Sequence, residues 1–187
     1  RIIELSSKSY LENDGFSEPH CDFFELFEKN EGIIVFSGTI DGLVGKLFNQ
    51  GKYQDIIEVY SNLKSHFKNR FYIEIQRHGD INEKIFEKYN LQKSNEFNIP
   101  IIATHEVYYL DQNMYEAHDA LICIGNKTYV NDKNRKKFTN QHYLKTNNEM
   151  SELFSDIPEA LNNNYNFPFI CNFKPEFSKP VLPNISS

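Results

Sequence analysis

Hydrophobic positions along this chain alternate between two periods. Ile2, Ile3, Leu5 and Tyr10 suggest a short helix that the Glu12–Gly15 stretch ends, and a second helical stretch is expected over Asp22–Lys29. Gly32–Ser37 (GIIVFS) is an unbroken apolar run bounded by glycines, the pattern of a strand buried on both faces. Tyr53, Ile56, Ile57, Tyr60, Leu63 and Phe67 return to helical spacing and predict an amphipathic helix over Gly51–Phe67. Phe71–Arg77 alternates, and Asp80 with Glu83 has the form of a capping box opening a helix over Ile81–Asn95. Pro100–Thr104 predicts another buried strand, and Asp111 a cap for a helix over Gln112–Ile124. Strand and helix thus alternate three times. That order predicts an α/β fold with parallel strands and right-handed helical crossovers.

The last third reads differently. Lys127–Lys137 is a polar, basic loop expected to be solvated, and Phe138–Lys145 is a candidate strand. Thr146 with Glu149 makes a second capping box, with Met150, Leu153 and Phe154 on the core side of its helix. Asp156 is expected to cap a final helix that has Pro158 in its first turn. Asn162–Asn164 carries no assigned role beyond compositional bias. Pro168 predicts a kink or an early stop, and Lys179–Asn184 an extended exit segment.

The 187 residues are enough for one domain with a full core, which at this size buries roughly 70% of its unfolded surface. The sequence has no Trp, so 16 Phe and 11 Tyr must supply the aromatic packing. A formal charge of −6 argues against a sequence-independent grip on DNA by this segment alone, since phosphate binding needs a basic surface. Cys21, Cys123 and Cys171 are far apart and odd in number, which suits free thiols in a reducing cytosol. No apolar run approaches the ~20 residues of a membrane span. The chain opens with Arg1 inside a helical pattern, as a piece of a longer protein would.

Candidate chemistry sits at two strand ends. Alternation in Phe71–His78 puts Tyr72, Glu74, Gln76 and His78 on one face and Phe71, Ile73 and Ile75 on the other. The polar face is either a solvated edge or the lining of an interior site, and helical crossovers favour the second. His78 is its sharpest member, because neutral imidazole is the commonest ligand of zinc-like metals. His105 and Glu106 follow the next strand; they could bind a divalent metal, hold a water, or be ordinary loop residues. Tyr108 and Tyr109 are poor metal ligands, and His118 beside Asp119 suits a hydrogen-bonded packing role. His20, His66 and His142 carry no signal. The glycine-rich GTIDGLVG has the wrong spacing for a phosphate cradle and suits a tight strand-to-helix turn.

Six stretches in register resemble the N-terminal PHP (polymerase and histidinol phosphatase) domain of the bacterial replicative DNA polymerase III alpha subunit: GIIVFSG, FYIEIQRHG, IPIIATHEVYYLD, EAHDALICIG, QHYLKTNNEMSELFSDIPEAL and KPVLPN. The resemblance implies a partial, distorted (β/α)7 barrel over residues 1–170, its first strands lying before Arg1, and a connection over 171–187 toward a polymerase palm beyond Ser187. It implies a cytoplasmic DNA-directed DNA polymerase as the parent, magnesium-dependent in synthesis, with other replicase subunits as partners. In some members the PHP domain holds divalent zinc, manganese or magnesium and has a 3′–5′ proofreading exonuclease activity. In others the site is degraded, and the domain is a scaffold that docks a separate proofreading subunit. His78 matches a ligand histidine of that family, whereas Thr39 stands where metal-binding members carry cysteine. Glu106 stands in place of an aspartate and Tyr108 in place of a histidine. His78 and Glu106 are therefore the metal-ligand candidates of a degraded site, and a docking role is the expectation, with an active phosphoesterase or exonuclease as the alternative. A barrel lacking strands is also expected to expose unpaired sheet edges.

Overall fold

A computed structural model describes residues 1–177, 179 and 180. Three short strands, β1 (Val35–Phe36), β2 (Phe71–Ile75) and β3 (Ile101–Ala103), form one sheet in the order β1-β2-β3. Both pairings are parallel, with Val35 opposite Phe71 and Ile73 opposite Ile101. The mixed helix and sheet class is as expected. Among the described residues the sheet has three strands, and closure into a barrel is not part of it.

After α1 (Ile2–Leu11), helices α2 (Leu43–Asn49) and α3 (Tyr53–Phe67) connect β1 to β2, and α4 (Ile81–Phe97) connects β2 to β3. Ile56, Tyr60, Leu63 and Phe67 of α3, spaced as one apolar stripe, pack with Phe71, Ile73 and Ile75 of β2 into the main core. Tyr72, Glu74 and Gln76 take the opposite, half-buried face, as the alternation requires. β1 is shorter than Gly32–Ser37 and half-buried, so its expected burial on both faces is corrected. Helix α2 has no counterpart in the expected elements, because Gly42 and Gly45 read as turn residues. Gly45 is instead a close-approach site: a Cβ there would lie 2.0 Å from the Ile40 carbonyl oxygen.

Asp22 does open a helical turn, but it is a 3₁₀ turn over Phe23–Phe27, with Asp22 and Glu25 closing a capping box. Asp111 caps a 3₁₀ turn over Gln112–Met114 that runs into α5 (Tyr115–Gly125). The candidate strand over Phe138–Lys145 contracts to one parallel bridge between Tyr143 and Tyr109. The Thr146–Glu149 box forms as expected and starts α6 (Asn147–Leu153), with Phe154 fully buried behind it. Helix α7 (Pro158–Ile170) has no side-chain cap, since Asp156 bonds to Arg77 instead. It ends two residues past Pro168. From Val181 on, the exit segment expected over Lys179–Asn184 lies outside the described residues.

Helix α7 also corrects two expectations. Its Asn163 and Asn164 side chains donate to the carbonyls of Ile101 and Ala103, on the side of β3 that faces away from β2. Phe167 meets Phe36 and Tyr72 at ring distances of 5.5 and 6.1 Å, so the helix also lies over the polar face of the sheet. The asparagine run thus has a role, and the β3 edge is covered.

Candidate functional site

Beyond the C-terminal end of β2, Gly79 adopts a positive φ of 84° and turns the chain into α4. The turn leaves His78 1% exposed, with all its polar atoms partnered. Glu83, in the first turn of α4, accepts from the His78 backbone N–H at 2.6 Å and meets Nδ1 at 2.7 Å. The Glu106 backbone N–H donates to Nε2 at 3.2 Å, and Thr139 Oγ1 donates to the His78 carbonyl at 2.5 Å. Burial opposes the charged form of Glu83, but the hydrogen bonds from His78 outweigh it and lower its pKa. The expected Asp80–Glu83 capping box is half made: Asp80 accepts from Asn82, while Glu83 is diverted to His78.

The His78 ring lies between two others. His142 stacks on it at 4.0 Å and 7°, and His105 at 4.5 Å and 26°. His105 Nε2 faces the Tyr143 carbonyl at 3.1 Å, while its buried Nδ1 has no partner among the described residues. Burial, then the neighbouring His78, lowers the His105 pKa to about 4; the same two causes lower that of His142. The Tyr108 hydroxyl donates to Glu106 Oε1 at 2.6 Å, and its ring lies 4.5 Å from Phe138 and 5.2 Å from His118. Burial, followed by the hydrogen bond to Glu106, raises the Tyr108 pKa.

An open cleft of about 570 Å³ fronts this cluster, lined by Thr39, Gln76, His78, Glu83, Glu106 and His142, with Lys46, Lys136 and Lys137 at its rim. The sequence candidates His78 and Glu106 are therefore brought to one cavity, which Thr39 also lines. His142 and Glu83 were missed. No local pattern marks His142, which reaches the site only because Tyr143 pairs with Tyr109, more than thirty residues away. Arg135 is also not part of a solvated basic loop: it grips Asp119 with both terminal nitrogens, at 2.6 Å each, and its side chain is 3% exposed.

The donor set fits a metal poorly as arranged. A tetrahedral ion needs ligand lone pairs that converge. Imidazole lone pairs lie in the ring plane, so those of stacked, near-parallel rings stay in separate layers about 4.0–4.5 Å apart and do not meet at one point. Both nitrogens of His78 are engaged, and the Glu106 carboxylate holds Tyr108. Among the described residues, no three His, Cys, Asp or Glu side chains are grouped to hold an ion. A larger cleft, about 1140 Å³, lies at the opposite strand ends, where Lys64 and Arg70 are bonded to backbone carbonyls. The polar strand ends, not this larger volume, carry the clustered titratable groups.

Residues 1–78 match the family described as the PHP domain. Over 98% of its length the chain is 35% identical to a protein named DNA polymerase III subunit alpha from Caulobacter vibrioides. The protein of that name from Rickettsia prowazekii is 34% identical over the whole chain, and that from Vibrio cholerae 33% identical over 96% of it. The chain spans about one sixth of the length of these curated relatives, 16% in each case.

Proposed function

We propose that the chain, 34–35% identical to proteins named DNA polymerase III subunit alpha and matching the PHP domain over residues 1–78, is the PHP module of a replicative DNA-directed DNA polymerase. In this reading the three-stranded sheet is part of a distorted (β/α)7 barrel. Residues 1–170 are the PHP segment and 171–187 the connection onward. Synthesis belongs to other parts of the parent, with magnesium as its ion. The module's own work is structural: it docks a separate proofreading exonuclease subunit in the cytoplasm, and its metal site, built around His78 and Glu106, is degraded.

One observation carries this reading. The two nitrogens of His78 are already bonded, to Glu83 and to the Glu106 amide, and Tyr108 holds the carboxylate that would be the second ligand. An active 3′–5′ exonuclease would need both candidates free. Two assays test the proposal. Cross-linking of the protein with a purified proofreading subunit is expected to place contacts on this module. Hydrolysis of primer 3′ ends with zinc, manganese or magnesium is expected to be absent. Hydrolysis that disappears in His78→Ala would overturn the docking reading in favour of the nuclease.

A further inference from the structure

Resting on the reading of the site as metal-degraded, we infer that the Glu106 amide is the built-in partner of His78 at the nitrogen an ion would use. His78 is then a pin fastening the loop after β3 to the β2–α4 turn. A carboxylate oxygen on Nδ1 requires that nitrogen to carry the proton. An amide N–H on Nε2 requires a lone pair there. The two contacts together assign His78 the neutral Nδ1–H tautomer. A metal-ligating histidine commonly donates its other N–H to a carboxylate, and Glu83 supplies that half of such an arrangement. The other half is filled by backbone.

The lone pair on Nε2 can be shared with an N–H or given to an ion, not both. Metal binding at His78 therefore requires the Glu106 amide to leave, and with it the loop that the same backbone anchors through Tyr108 N–H to the His142 carbonyl at 2.9 Å. His142 in turn stacks on the pinned ring. Three separate stretches of chain, 76–83, 104–109 and 139–143, thus meet on one imidazole. Opening any of them uncovers a side chain that is otherwise 2% exposed.

The test uses nitrogen NMR of the histidine side chains in the unmodified protein near neutral pH, with and without zinc. His78 is expected as the Nδ1–H tautomer, its signals and the Glu106 amide signal unchanged by zinc. A variant, His78→Asn, keeps a donor for Glu83 and loses the Nε2 acceptor. Solvent exchange of the Glu106 amide should then accelerate roughly fivefold or more, the equivalent of one net hydrogen bond. An Nε2–H tautomer, or stoichiometric zinc shifting the His78 nitrogens, would overturn the inference even if the variant fails to fold. Failure of the proofreading subunit to bind, with the His78 pattern intact, would count against the docking reading and leave the pin standing.

Discussion

His105 is held as a neutral ring in a place where protonation is disfavoured. Its pKa falls from 6.5 to about 4 through burial and then the nearness of His78. The unfolded chain binds this proton first as pH drops, so the contribution of His105 to stability is complete above pH 6.5 and lost on descent toward about 4. Denaturant titrations across that window should show falling stability, with a smaller fall in His105→Gln. Glu149 acts lower: hydrogen bonds from Tyr143 and Thr146 bring its pKa from 4.5 to about 2, so its contribution fades only below pH 4.5. At this scale the sequence revealed residue types and hid their partners. Asp80 and Glu83 have the spacing of a capping box, yet Glu83 finds a stronger use in two N–H groups of His78. Arg135 looks like one of several loop cations until its fork meets Asp119.

Elements were easier to anticipate where one face is apolar. The stripe on α3 and the alternation of β2 follow directly from burial on one side. α2 escaped notice because its glycines resemble breakers, whereas Gly45 is required by the approach of the Ile40 backbone. Gly45→Ala is expected to destabilise the protein by about 1–3 kcal/mol through overpacking, measurable as a lowered denaturation midpoint. The asparagines of α7 were invisible to patterning for a different reason. Their partners are carbonyls of a strand edge sixty residues away, and only tertiary structure brings them near. Asn163→Ala and Asn164→Ala should each cost on the order of 1 kcal/mol. The double variant should also self-associate faster in light scattering, because it bares a strand edge.

Across the molecule, Arg77 ties the parts that the strand–helix alternation leaves separate. From the end of β2 it reaches Glu87 on α4, Asp156 before α7 and the Leu153 carbonyl, while its guanidinium lies 4.9 Å from the centre of the buried Phe154 ring. Arg77→Met keeps much of the apolar stem and removes the charge-assisted bonds, so a loss on the order of 2 kcal/mol is expected in chemical denaturation. Phe154→Ala should cost about 3–5 kcal/mol by the same measurement, since the side chain is fully buried. The parallel sheet was foreseeable from element order. The fastening of its C-terminal helices was not, because Asp156, two residues before Pro158, has the position of a local cap.

The placement of α7 gives the sheet a polarity. Beside β3 every further partner would have to dislodge two amide side chains, whereas Val35–Phe36 stands at the other flank with no strand next to it among the described residues. Growth by strand addition is therefore one-directional, and any newcomer to this fold must enter next to β1.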